Sequence, residues 1–326
     1  MIFRAATILA MAVMSALLAP TFAAAQAWPT RPVTLVVPFA AGGGTDAIAR
    51  VLAEKLAVRL GQPVVVENKA GAASAIGTAY VAKATADGYT LLMTTNSALV
   101  ILPLIQPGGS LNYDRSDFNL IGLTGILPNL LIVSPKVPAN TTAELIAYAK
   151  ERPGQLSFAS SGNGTITHLI GELFNARAGI SAVHVPYRTG VQSAPDVMEG
   201  RIQYIFDNII WSLPQVRAGK IKGLAITTSR RSPLAPDIPT VAETVPGFEG
   251  ITWLGLAAPA KTPDGVISRL DIELRAVLAE PDVIAKLAAT GAEPPTAPGP
   301  EGMRALLAQD IERWSGILRE GKIKLQ

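Results

Sequence analysis

The stretch VVPFAAGGGTDAIARVLAEKL, Val36 to Leu56, sets a short apolar run, a glycine-rich turn and an amphipathic run in succession. The run Val33–Pro38 is apolar without alternation and ends in proline, as a strand buried on both faces of a parallel sheet does. In the following run Ile48, Leu52, Leu56 and Leu60 recur every fourth residue, which puts them on one face of a helix. Gly61 closes that helix, and Val64–Glu67 is the next apolar run. Gly77–Ala84 reads as a second helix, Asp87-Gly88 as a turn and Tyr89–Thr94 as a third strand. A βαβαβ order requires right-handed crossovers and a parallel sheet, so the fold class is α/β.

Beyond Gly125 the same grammar restarts. Leu130–Ser134, Leu156–Ala159, Val183–Val185, Tyr204–Phe206 and Leu224–Thr227 read as strands, with helices over Thr142–Lys150 and Ile166–Ala176. From Pro263 the chain reads as helical over Asp264–Leu278, Pro281–Ala289 and Pro300–Glu320. Three helices with few strands make a poor lobe of their own, so they are expected to pack back on the first one. That divides the chain into one lobe from 26–126 plus 247–326 and a second from 127–246, with crossings near Leu123–Asn129 and Gly247–Ala257. "PFAAGGGTD" in the first half and "ASSGNGTITH" in the second share one design: strand end, small polar loop, helix start. Two such loops on two lobes imply a ligand cleft between them, outside the carboxyl ends of the strands.

Composition narrows the chemistry. There is no cysteine, and the two histidines are His168 and His184, so soft-metal and three-histidine sites are excluded. The net charge is +3, and no Lys/Arg cluster with interleaved aromatics marks a nucleic-acid surface. Arg4, the apolar run Ala5–Leu18, Pro20 and Ala23-Ala24-Ala25 follow the order of a secretory signal, predicting removal of residues 1–25 and a mature start near Gln26 in the periplasm.

Several readings compete for the glycines. Gly42-x-Gly44-x-x-Ala47, with Glu67 downstream, matches a dinucleotide-binding fingerprint. In that fingerprint the first glycine ends the strand, whereas here Pro38-Phe39-Ala40-Ala41 intervenes, and export removes the chain from cytoplasmic cofactors. No Gly-Lys-Ser/Thr follows for a Walker loop, and no G-x-S-x-G elbow occurs for a hydrolase. No cofactor and no catalytic group is expected. What remains is backbone chemistry: unobstructed glycine N–H groups at a helix N-terminus hold a carboxylate without a cation. Thr45 or Asp46 would then cap the first helix, and Thr165 would cap or bind at the second loop. Asp46 would repel a carboxylate held directly against it, so it faces away or acts through water.

The motifs "WPTRPVTLVVPFAAGGGTDAIAR", "LGQPVVVENKAGA", "DGYTLL", "ASSGNGTITHLIGELF", "HVPYRTG", "FDN", "RSPLAPDIPTVAE" and "LAAPAKTP", in this order from Trp28 onward, resemble the periplasmic Bug-type receptors of tripartite tricarboxylate transporters. The resemblance implies a two-lobed periplasmic-binding-protein type II fold, a small organic acid as ligand and a membrane permease as partner; the chain is expected to be a monomer and not an enzyme. A sensor kinase is the other partner that this cleft could serve. It implies that Phe39, Ala40, Gly43, Gly44, Thr45 and Asp46 hold one carboxylate, partly through water. Ser161, Gly162, Asn163, Gly164, Thr165 and His168 would reach the ligand's other end. Asn96, Ser97, Tyr187 and Asp207 would line the cleft, and Trp253 would be either cleft wall or core. Phe39 and Trp253 would offer apolar contact to an aromatic or long-chain acid. The chain departs from the family pattern at Ala40-Ala41, in place of Pro-Pro, and at Arg188-Thr189 between Tyr187 and Gly190, which leaves a cation near the cleft.

Overall fold

The computed structural model describes residues 28–106, 110–321 and 323. The expected signal segment lies outside the described residues. Among the described residues, no helix is long and apolar enough to cross a membrane.

Strand β1 (Val33–Val37) lies parallel between β2 (Val64–Asn68) and β3 (Thr90–Thr95). Val33, Leu35, Val36 and Val37 are completely buried, as an uninterrupted apolar run in a parallel sheet requires. Helix α1 (Gly44–Leu60) covers this sheet through the predicted stripe, with Ile48, Leu52, Leu56 and Leu60 all buried. Each such side chain contributes roughly 1.5–3 kcal/mol by leaving water. Gly61 ends α1 in the left-handed region, at φ 68°. Helix α2 (Ala75–Ala82) returns the chain to β3, and a π-turn over Ser97–Ile101 runs into the short α3 (Leu102–Ile105).

Strand β4 is longer than the sequence suggests: it runs over Phe118–Val133, not Leu130–Ser134 alone. Gly125, the expected point of restart, and Gly122 both lie within it. A Cβ on Gly122 would overlap the Pro298 carbonyl, whose oxygen accepts the Leu123 amide at 2.6 Å, so glycine serves close backbone approach rather than a turn. The first part of β4 pairs antiparallel with β9 (Ile251–Pro259), which also pairs with β3. Its last residues pair antiparallel with β7 (Tyr204–Asn208) and β8 (Lys222–Ile226). β7 continues, in parallel, to β5 (Leu156–Ser160), and β5 to β6 (Ala182–Pro186). The order is β2-β1-β3-β9-β4-β7-β5-β6, so one strand joins the two halves of a curled mixed sheet.

The second half carries α4 (Thr142–Lys150), α5 (Ile166–Ala178), α6 (Gly190–Met198) and α7 (Ile209–Arg217). The last two were not read from the sequence. Terminal helices α8 (Asp264–Leu278), α9 (Pro281–Ala289) and α10 (Pro300–Arg319) follow the sequence reading closely. α8 and α9 pack on α1, where Arg59 pairs with Glu273 and Lys55 with Glu280 and Asp282.

Candidate functional site

β1 ends at Val37 and α1 begins at Gly44, so six residues form the first loop. Gly42, at φ +83°, makes the turn that glycine alone adopts at little cost. Its amide donates to Asp46 Oδ2 (2.9 Å). Asp46 Oδ2 also accepts from Arg50 Nε (3.0 Å), and Oδ1 accepts from Asn68 Nδ2 (2.9 Å). Asn68 Nδ2 reaches the Phe39 carbonyl as well (3.0 Å). Burial raises the Asp46 pKa, but the hydrogen bonds from Arg50, Gly42 and Asn68 outweigh it and hold the carboxyl below its ordinary value. Asp46 therefore ties the loop down. The N-cap is Gly43, without a side-chain cap, so neither Thr45 nor Asp46 plays the capping role expected of one of them. The amides of Gly44, Thr45 and Asp46 in the first turn are left without intrahelical acceptors.

The second loop is built differently. Thr165 is the N-cap of α5: its Oγ1 accepts from the His168 amide (3.4 Å) and donates to the Gly162 carbonyl (2.8 Å). The Ile166 amide donates to Ser97 Oγ (3.0 Å), which fastens α5 to the chain leaving β3. The Gly164 amide donates to His168 Nδ1 (3.1 Å), placing the imidazole behind the loop. His168 stacks on His184 with ring centroids 3.8 Å apart. Burial lowers the two imidazole pKa values to about 4 and about 3, with His168 also lowering that of His184, so both are neutral near pH 7.

These loops meet at a small cavity of about 50 Å³. Phe39, Gly43, Gly44, Thr45, Ser97 and Thr95 line it from the first half. Ser161, Thr165 and Asp207 line it from the second half, joined by residues at the starts of α6 and α7: Thr189, Gly190, Asn208 and Trp211. Four helices, α1, α5, α6 and α7, thus begin on one cavity. The halves touch: a Cβ on Gly44 would lie 3.2 Å from Asn208 Oδ1 and 2.9 Å from Ile210 Cδ1. Asp207 is buried and accepts from the Trp211 indole N–H, and burial raises its pKa to about 6 against the lowering effect of that bond and of the Asn208 amide. Thr95, 1% exposed, has a hydroxyl with no partner among the described residues.

A second, larger cavity, of about 450 Å³, shares Phe39, Ser161 and Arg188 with the first. Gly162, Asn163 and Tyr187 line it, and the Tyr187 hydroxyl donates to Asp196. The remaining expected residues lie behind the walls. Ala40 is half-buried in the first loop, and Gly164 rests near Ile105 and Leu102. Asn96 is completely buried, with Nδ2 donating to the Ile251 carbonyl (2.9 Å) and Asp310 Oδ2 (3.3 Å). Of the two roles open to Trp253 the structure shows core: it is completely buried and its indole donates to Asp310 Oδ2 (2.8 Å). Sequence reasoning missed Thr95, Thr189, Gly190, Asn208 and Trp211. The last four belong to α6, α7 or their caps, which it did not find.

Helix N-termini gathered on a cavity between two halves of a mixed sheet define a two-lobed α/β solute-binding protein of the periplasmic type II class. The chain belongs to the tripartite tricarboxylate transporter receptor family, whose pattern matches residues 48–323. It is 38% identical over 305 residues to the protein BugT of Bordetella pertussis, covering 93% of each chain. The solved structure of Rhodopseudomonas palustris Rpa4515 with adipate is 37% identical with a TM-score of 0.86, over 91% of this chain and 99% of that one. MatC from the same organism, with bound malate, is 31% identical with a TM-score of 0.83, over 89% and 99%.

Proposed function

We propose that the chain captures a small organic carboxylate in the inner cavity and hands it to the membrane permease subunits of a tripartite tricarboxylate-type transporter. The observation that carries this reading is the convergence of four helix N-termini on a space whose walls, among the described residues, hold one cation, Arg188. Each N-terminus contributes a partial positive charge, and first-turn amides other than those of Ile166 and His168, which already have acceptors, can solvate an anion. Adipate and malate in the related structures support a di- or tricarboxylate over a monovalent anion. The lobes are residues 26–126 with 247–326 and residues 127–246, and the ligand bridges them. The protein works in the periplasm, as a monomer, after loss of residues 1–25. Delivery to a sensor kinase is the second reading, and it uses the same cleft.

We also read the site as binding without catalysis. Ser160 Oγ lies 2.6 Å from His184 Nε2, the pairing of a nucleophile with a base. Ser160 is completely buried and is not part of either cavity wall, and an imidazole held near 3 is a poor base at neutral pH. Calorimetric titration across a panel of mono-, di- and tricarboxylates, with NAD and ATP as controls, tests the reading. Saturable binding is expected for at least one carboxylate and for neither nucleotide. A panel without any binding acid, or micromolar binding of NAD, would overturn it.

A further inference from the structure

Among the described residues, Arg188 is the single cation on the walls of both cavities. It is exposed, and among the described residues no carboxylate engages its guanidinium. The nearby acids are already committed: Asp196 accepts from the Tyr187 hydroxyl and from Arg201, and Asp207 accepts from Trp211. A free guanidinium at the junction of an inner and an outer cavity has the geometry to grip a second anionic group in bidentate fashion. Phe39, on both walls, offers an apolar surface between the two positions.

The outer cavity has the marks of a built site. One wall is the segment Gly71-Ala72-Ala73-Ser74, in which four successive residues have positive φ, at 138°, 46°, 54° and 93°. Three of these carry a side chain, and such conformations persist only where the surroundings enforce them, typically around bound ligands. Ser74, on this wall, is 1% exposed, and its hydroxyl has no partner among the described residues.

We propose that Arg188 is a specificity-determining residue: it takes the far carboxylate of an α,ω-dicarboxylate whose near carboxylate lies at the helix N-termini of the inner cavity, the chain passing Phe39. This rests on the carboxylate reading above. The test is calorimetry on matched pairs that differ only in the second carboxylate: succinate against butyrate, adipate against hexanoate, suberate against octanoate. The wild-type protein is expected to prefer the diacid at least tenfold in one pair, and Arg188→Gln to reduce that ratio to within about threefold. Arg188→Lys, which keeps the charge but not the fork, is expected to fall between them. If Arg188→Gln keeps the tenfold ratio, or the wild-type protein binds both members of every pair equally, the role of Arg188 is refuted while the carboxylate reading stands. If the wild-type protein binds no acid of the series or of the wider panel, the carboxylate reading falls and this inference with it.

Discussion

Gly43 and Gly44 are neighbours with different reasons to be glycine. Neither needs a positive φ, which is the property of Gly42. A Cβ on Gly43 would find only ordinary contacts, 3.6 Å to the Ala40 carbonyl and 3.9 Å to Thr189 Cγ2. A Cβ on Gly44 would press on Ile210 and on Asn208. The isoleucine methyl can turn aside, but the Asn208 amide is pinned by Asn129 Oδ1 (2.7 Å) and Thr252 Oγ1 (3.3 Å). Overpacking of this kind costs roughly 1–3 kcal/mol, and here it falls on the state in which the halves meet. Gly44→Ala should therefore weaken ligand binding about ten- to hundredfold, while Gly43→Ala changes it by less than about threefold. The melting temperature without ligand should not fall, since alanine is the better helix residue. Equal affinities for the two variants by calorimetry would show that Gly44 is not at the contact.

Asp207 gives the residue scale its pH dependence. Its carboxyl titrates at about 6 in the folded protein against 3.8 ordinarily, because burial penalises the charged form. Between about pH 4 and 6 the folded state therefore binds more protons than the unfolded one, and stability falls as pH rises through that window, by up to about 3 kcal/mol. Below it both states are neutral and the effect vanishes. Glu243, which hydrogen bonds from Arg231 hold near 2, acts with the opposite sign at lower pH, so the clean quantity is the difference between Asp207→Asn and wild type. That difference should favour the variant increasingly from pH 4 to 7 in urea unfolding. Carboxylate affinity should likewise fall above pH 6 in the wild type and less so in the variant, because an ionised Asp207 repels the ligand. A difference independent of pH would mean that Asp207 titrates as an ordinary carboxyl.

At the scale of elements, the first loop is held by a side chain that does not line the cavity. Asp46 joins the Gly42 amide, Arg50 and Asn68, and Asn68 in turn holds the Phe39 carbonyl. Asp46→Ala removes three charge-assisted bonds at once. It should cost roughly 1–3 kcal/mol of stability and weaken binding through loss of loop order, seen as a more unfavourable binding entropy. Unchanged affinity with lowered stability would confine Asp46 to a structural role. The sequence displayed this loop and the matching one at Ser161 to His168, because glycines before an i, i+4 apolar stripe leave few alternatives. It displayed α1, α5 and the terminal helices for the same reason. It hid α6 and α7: each is 9 residues long with a proline inside, Pro195 and Pro214, so neither shows a clean helical period. With them went half of the convergent N-termini, and so Gly190, whose Cβ would overlap the Asp207 carboxylate, passed unnoticed. Trp253 was ambiguous because a tryptophan on a crossing strand can face either way; only its bond to Asp310 decides it.

For the whole molecule, β4 runs from its pairing with β9 to its pairing with β7 and β8, and Gly44 meets Asn208 and Ile210 at the inner cavity. Closing the halves on a ligand would change that contact, and a partner can distinguish occupied from empty protein only if the two states differ in shape. The absence of cysteine makes this directly measurable, because an introduced pair is the only thiol pair in the chain. Val58 on α1 and Val183 on β6 are 79% and 49% exposed, so both accept a spin label without disturbing the core. In the Val58→Cys, Val183→Cys protein, pulsed electron resonance should give a broad or longer distance without ligand. With saturating carboxylate it should give a shorter and narrower one, and the shift should be lost in the Gly44→Ala background. Distributions that coincide with and without a bound acid would leave the cavity as a binding site but remove the hinge. A receptor of that kind would have to signal its occupancy through the ligand itself rather than through the arrangement of its lobes.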